Sequence, residues 1–164
     1  MWNAYGPMGG CGGTILTDRW VLTAAHCIDI PSLTNIAVEY GVSRVPTATS
    51  YVWAEQIYIH PSWNTNNIGN GHDVGLIYLS EALDMNYAGT IPLYDFDSLP
   101  VGTAGYVTGW GCMWTGCNYS SSPEWLQGAS VQIVSCGSWE PVPINQVCAP
   151  VSYTHLTLPT ICSV

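Results

Sequence analysis

Residues 11–27 read CGGTILTDRWVLTAAHC, and this stretch decides how the whole chain is interpreted. Two short apolar runs, Gly13–Leu16 and Trp20–Thr23, are separated by three turn-forming residues, a pattern that predicts a tight β-hairpin. The hairpin leads into two alanines and then His26. Because alanine is small, the backbone on either side can pack closely, and such packing can hold an imidazole in the fixed position that a general base needs.

A second stretch, residues 71–79, reads GHDVGLIYL and places Asp73 at the start of an apolar run that predicts a strand. An acid bound to one imidazole nitrogen fixes the tautomer that leaves the other nitrogen free to accept a proton. His26 and Asp73 are therefore candidates for a general base and the acid that orients it. The alternatives are an ordinary buried histidine and an ordinary aspartate that caps a strand edge.

The rest of the chain favours an all-β protein, because short apolar runs alternate with turn residues and helical periodicity is hard to find. Further strands are predicted at Ile36–Tyr40, Tyr51–Ile59, Val74–Leu79, Ala104–Thr108 and Ala129–Val134. Many short strands with regular punctuation are typical of a β-barrel or a sandwich.

The two stretches, together with the Gly-Trp-Gly triplet at 109–111, resemble the trypsin/chymotrypsin-like serine proteases. The order of histidine before aspartate is also that of chymotrypsin. The resemblance implies a chymotrypsin-like double β-barrel, with a nearly complete first barrel at residues 1–95 and a truncated second barrel at 96–150. It implies a serine endopeptidase in which His26 is the general base and acid and Asp73 orients it.

One element of the family pattern is missing, because Gly-Asp-Ser-Gly-Gly-Pro, which carries the nucleophilic serine, does not occur in these 164 residues. We therefore expect this chain to be an inactive fragment of a peptidase. A non-catalytic protease homologue acting as a binding module is the alternative hypothesis, although such a protein has no need of His26 and Asp73. A structural domain held by disulfides would explain the cysteines but neither motif.

Seven cysteines in a chain poor in charge favour an oxidising compartment, so we expect a secreted protein. Met1 is not followed by the basic start and apolar core of a signal peptide, so the beginning of an exported protein is expected to be absent. The family pattern implies the disulfides Cys11–Cys27 and Cys136–Cys148. Cys112 and Cys117 match no family bridge, and their proximity suggests a small local loop. The tripeptide at Asn118 matches the acceptor pattern for N-glycosylation.

Residues 151–164 resemble one reading frame of a translated transposase-type sequencing adapter. We expect them to be a non-native tail, with Leu156 and Leu158 outside the main core. An ordinary divergent C-terminus is the alternative. The tail contains Cys162, and without it six cysteines remain, enough for three bridges.

Charge and spacing exclude several other classes of function. Two arginines stand against eleven carboxylates, and a net charge of −9 provides no basic patch for nucleic acid or for anionic membranes. No apolar run approaches the roughly 18–20 residues of a spanning helix. No pair among His26, His60 and His72 has metal-ligand spacing on a helix, so no metal or other cofactor is expected, and no role is assigned to His60 or His72. The family resemblance implies a polypeptide substrate and protein inhibitors as partners.

Overall fold

The computed structural model describes residues 11–30, 35–44, 51–67, 71–93, 99–111, 122–136 and 147–149. Across these residues the chain forms β1 (Thr14–Ile15), β2 (Trp20–Thr23), a single 3-10 turn (Ala25–Cys27), β3 (Ala37–Glu39), β4 (Tyr51–Ile59), β5 (Gly75–Leu79), β6 (Ala104–Gly109) and β7 (Gln127–Gln132). Every strand begins and ends within two residues of its predicted bounds. No helix of the described part is both long and apolar enough to cross a membrane.

The chain divides into two compact units, the first formed by Met1–Val42 with Thr47–Leu93 and the second by Ser43–Pro46 with Tyr94–Val164. In the first unit five antiparallel strands form one sheet in the order β1-β2-β5-β4-β3. The central pair is β2 and β5, in which Thr23 lies opposite Gly75. The carboxyl end of β2 and the amino end of β5 therefore meet at the same edge of the sheet.

The core of the first unit follows from the two-residue alternation of these central strands. Val21 and Thr23 in β2 and Ile77 and Leu79 in β5 are buried on one face. Ile77 and Leu79 are completely inaccessible to solvent. The buried polar member of this set is Thr23. Its hydroxyl donates to the carbonyl of Gly12 at 2.9 Å, so the buried donor is paired.

The opposite face of the same strands carries an aromatic cluster. Trp20 lies directly across from Tyr78, with ring centroids 4.9 Å apart, and also contacts Tyr58 at 5.5 Å. The guanidinium of Arg19 donates to the Tyr78 hydroxyl at 3.3 Å, and this hydrogen bond raises the pKa of Arg19 above its usual value. The sheet is thus packed on its core face and aromatic on the other.

The second unit contains the antiparallel pair β6 and β7, in which Val131 is buried. Cys136 and Cys148 form a disulfide with Cα atoms 5.2 Å apart, next to a single β-bridge between Val134 and Cys148. The indole N–H of Trp110 is buried and has no hydrogen-bond partner in the described part of the chain. Cys112, Cys117, Asn118 and the segment 151–164 lie outside the described residues.

Candidate active site

A tight turn after β2 positions His26. Ala24 and Ala25 are 1% and 0% exposed, so the backbone that precedes His26 is packed against the core without intervening side chains. The amide of Cys27 donates to the carbonyl of Ala24 at 3.2 Å, and Ile28 donates to Ala25 at 3.0 Å. This single 3-10 turn lifts the His26 side chain away from the core while its neighbours on both sides stay buried.

Asp73 reaches the same place from the other strand. It lies two residues before Gly75, and His26 lies three residues after Thr23, the residue opposite Gly75 in the sheet. The amide of Val74 donates to the carbonyl of His72 at 2.8 Å. This bond closes a three-residue turn with Asp73 as its central residue.

The carboxylate of Asp73 binds His26 twice. Oδ1 accepts the backbone N–H of His26 at 2.8 Å, and Oδ2 lies 2.6 Å from ring atom Nδ1. The side chain of His26 is 42% exposed and that of Asp73 is 18% exposed. The acid is therefore largely shielded while the imidazole remains open to solvent on one side, and the two contacts fix both the position and the plane of the ring.

The tautomer follows from these contacts. Because Oδ2 of an ionised carboxylate only accepts hydrogen bonds, Nδ1 carries the proton and Nε2 keeps its lone pair. Nε2 lies 3.4 Å from Sγ of Cys27. A sulfur in a disulfide has no proton to donate, so this contact leaves the Nε2 lone pair available. His26 can therefore accept a proton from a hydroxyl group brought to its exposed edge.

A disulfide between Cys11 and Cys27 ties the His26 turn to the segment before β1, with Cα atoms 6.1 Å apart. The donor atoms of Cys11, His26 and Cys27 lie within 4.8 Å of one another, as the ligands of a metal would. Thiolates are the form that binds metal, and here both sulfurs are joined to each other. In the described part of the chain this group is therefore a structural bridge beside an imidazole and does not fit a metal.

Two contacts near this pair were not predicted from the sequence. The indole N–H of Trp63 donates to the carboxylate of Asp29 at 2.8 Å, which fastens the loop after β4 to the His26 turn. The imidazoles of His60 and His72 stack with centroids 4.7 Å apart. The only sequence signal for the second contact was the position of His72 directly before Asp73.

Known proteins match this chain over most of its length. A family model described as Trypsin matches residues 2–155. Chymotrypsin-like elastase family member 1 of Bos taurus is 31% identical over 147 residues, which cover 85% of this chain and 55% of that protein. Human chymotrypsin-like elastase family member 3A is 32% identical over 142 residues, covering 79% of this chain and 50% of that one. The chain thus spans about half the length of these curated relatives.

The fold agrees with a solved structure as well. Neuropsin, described as a serine protease expressed in the limbic system of mouse brain, superimposes with a TM-score of 0.73 at 29% identity, over 87% of this chain and 64% of that one. The predicted all-β, chymotrypsin-like fold is therefore confirmed, and so is the family inferred from the residues. Because the family model matches nearly the whole length of this chain, the chain belongs to the trypsin family.

Proposed function

We propose that the protein to which this chain belongs is a serine-type endopeptidase and that His26 and Asp73 are its base and orienting acid. The observation that carries the proposal is the double contact of Asp73 with His26, at 2.8 Å to the backbone amide and 2.6 Å to Nδ1. Membership of the trypsin family supports it.

In the proposed reaction Nε2 of His26 removes the proton of a serine hydroxyl while the serine oxygen attacks the carbonyl carbon of a peptide bond. The same proton then passes from Nε2 to the departing amine, and an acyl-enzyme ester remains. Water then attacks the ester carbonyl and gives a proton to Nε2, which passes it to the departing serine oxygen, so that the carboxylic acid product is released and the serine is restored. Asp73 stabilises the imidazolium that forms twice in this cycle and stays ionised throughout.

The serine belongs to a part of the protein outside these 164 residues in this proposal, because Gly-Asp-Ser-Gly-Gly-Pro is absent from them. The chain would contribute one β-barrel from residues 1–95 and part of a second from 96–150. The 164 residues alone are then expected to be inactive, since loss of the nucleophile removes about 10⁶-fold of catalysis in serine proteases.

We place the protein outside the cell, with polypeptides as its substrates and protein inhibitors among its partners. The disulfides Cys11–Cys27 and Cys136–Cys148 support an oxidising compartment. The 42% exposure of the His26 side chain is compatible with a polypeptide substrate, because a polymer can approach the imidazole.

The test begins with the source transcript, sequenced through and beyond the codon of Pro150. The proposal expects Gly-Asp-Ser-Gly-Gly-Pro within a few tens of codons. A clean read that confirms residues 151–164 followed by a stop codon would contradict it and would favour the non-catalytic binding module.

The second step uses the protein encoded by the full transcript, secreted and oxidised. A fluorescent alkyl phosphonate should label its serine, and labelling should fall by several orders of magnitude in His26→Ala because the hydroxyl then lacks its base. Tyr51→Leu, a change at the far end of β4, is the matched control and should label at the normal rate. Equal labelling of His26→Ala and the unchanged protein would remove His26 from the mechanism.

A further inference from the structure

The stacked pair of His60 and His72 is not used by the mechanism above, yet it adjoins the acid. The two imidazoles are nearly parallel, with an angle of 13° between their planes. His72 directly precedes Asp73 and has a φ of +60°, and among the described residues no other non-glycine has a positive φ. L side chains adopt this left-handed region rarely, and where they do, surrounding contacts must favour it.

His60 contacts both chain neighbours of Asp73. On one side its ring stacks on the ring of His72. On the other its backbone N–H donates to the carbonyl of Val74 at 3.1 Å. The hydrogen bond from Val74 to His72 closes the turn between these two attachment points. The turn that carries Asp73 is thus held at both ends by one residue.

His60 is itself well anchored. It follows Ile59, the last residue of β4, which lies opposite Gly75 at the start of β5. Its Nδ1 accepts the backbone N–H of Ser62 at 3.1 Å, and its carbonyl accepts the N–H of Trp63 at 2.9 Å. These bonds fix the plane and the position of the ring on which His72 rests. The ring stack therefore fixes the position of the Asp73 turn relative to the end of β4.

We propose that His60 and His72 are positioning residues for Asp73: their ring stack holds the left-handed backbone of His72 and so aims the Asp73 carboxylate at His26. The expected effect of the pair on catalysis rests on the proposed function, whereas its expected effect on the position of the Asp73 carboxylate does not. A catalytic group displaced by about 1 Å can cost about 100-fold in rate. The pair therefore acts on the reaction through Asp73 and touches no reacting atom.

The first test measures whether the Asp73 carboxylate stays in hydrogen-bonding position against His26, and it requires no catalysis. The backbone amide of His26 donates to Oδ1 of Asp73, so its hydrogen exchange, followed by NMR in the oxidised chain, reports that bond. In His60→Leu, which removes the stack, exchange of this amide should accelerate at least about tenfold while core amides such as that of Ile77 stay protected. His60→Phe restores a flat ring and should exchange within about twofold of the unchanged chain.

Two further variants complete the series. Tyr51→Leu removes an aromatic contact with Trp53 at the other end of β4 and should leave the His26 amide unchanged. Should His60→Leu fail to fold, His72→Asn replaces it, because asparagine tolerates a positive φ but has no ring to stack; the same acceleration is expected. Unaltered exchange in a folded His60→Leu or His72→Asn would overturn the proposal, as would failure of His60→Phe to restore protection.

The second test uses the protein from the full transcript and a peptide substrate. His60→Leu should lower kcat about tenfold or more and keep KM within about twofold. The substitution disturbs the tautomer and the orientation of the His26 ring but removes no substrate contact. His60→Phe should recover most of kcat. A protein that lacks peptidase activity altogether would contradict the proposed function and leave the exchange experiment to decide this inference. A KM rise with unchanged kcat would overturn it.

Discussion

Gly75 offers a sharp test of how β5 is packed against the His26 turn. A Cβ built on Gly75 would lie 2.6 Å from Cδ1 of Ile28, 3.2 Å from the carbonyl oxygen of Tyr58 and 3.3 Å from Cγ1 of Ile28. Ordinary contact begins near 3.4 Å, so the Cδ1 approach is much too close. Ile28 is 2% exposed and cannot move aside into solvent. The backbone of Gly75 lies outside the left-handed region, so space alone decides the outcome.

Gly75→Ala should therefore destabilise the chain. Overpacking of a core costs about 1–3 kcal/mol, and alanine in place of glycine within a strand recovers about 0.5–1 kcal/mol. The expected net loss is about 0–2.5 kcal/mol of the free energy of unfolding. Because Ile28 directly follows Cys27 in the His26 turn, the strain falls next to the candidate active site.

Ile28→Val removes Cδ1, the atom that would lie 2.6 Å from the new Cβ at position 75. That substitution alone costs about 0.5–1.5 kcal/mol, but it leaves only the two contacts beyond 3 Å, which small shifts can relieve. Adding Gly75→Ala in the Ile28→Val background should then be neutral or stabilising by up to about 1 kcal/mol. The gain from replacing glycine is the same in both backgrounds, so the two substitutions should be coupled by the overpacking cost of about 1–3 kcal/mol, within the range found for residues in contact.

Urea unfolding of the four oxidised proteins, followed by tryptophan fluorescence, completes the double-mutant cycle. Gly41→Ala does not serve as a control, because that glycine has a φ of +69° and would add backbone strain. Gly105→Ala serves as the control. The nearest neighbour of its new Cβ would be a Val131 methyl carbon at 3.2 Å in the second unit, and Ile28→Val should not change the effect of this substitution. A coupling below about 0.5 kcal/mol between Gly75 and Ile28 would refute the reasoning.

Four other outcomes are expected. Asp73→Asn should lower kcat of the full protein about 10⁴-fold by favouring the wrong tautomer of the base, and a loss below tenfold in a peptide assay would argue against its role. Replacing Cys11 and Cys27 together by alanine should cost about 3 kcal/mol in urea unfolding, since the bridge closes a loop of 16 residues. Ile77→Ala should cost about 2–5 kcal/mol and Ile77→Val about 0.5–1.5, and equal losses would contradict full burial. Deleting residues 151–164 should change the unfolding free energy by less than about 1–2 kcal/mol, and a larger loss would show that the tail is integral.

Much of the fold was predictable because strand signals are local. The bounds of β2 and β4 agree with the prediction residue for residue, since turn residues delimit both segments. The irregularity within β4 was not predicted. The pairing of β4 with β5 shifts between Ala54 and Gln56, and a bulge of this kind depends on the partner strand as much as on the strand that contains it.

The candidate site was likewise predictable only in part. His26 and Asp73 stand in recognisable local motifs, so their pairing was predictable although they are 47 residues apart. The stack of His60 on His72 was not, because it exists only once the end of β4 is aligned with the start of β5. Nothing in the sequence around either histidine specifies that alignment. The predicted roles of Cys112, Cys117 and Asn118 remain predictions.

The pairing of Thr23 with Gly75 has a consequence for how this protein can change in length. Lengthening a connection between β2 and β5 adds chain at a slowly growing entropic cost and leaves both catalytic candidates in place. A slip of one residue between β2 and β5 would instead turn the core side chains of the shifted strand to the opposite face. Selection for a stably folded first unit is therefore also selection for an aligned His26 and Asp73, and a variant library sorted only by folding should retain that alignment.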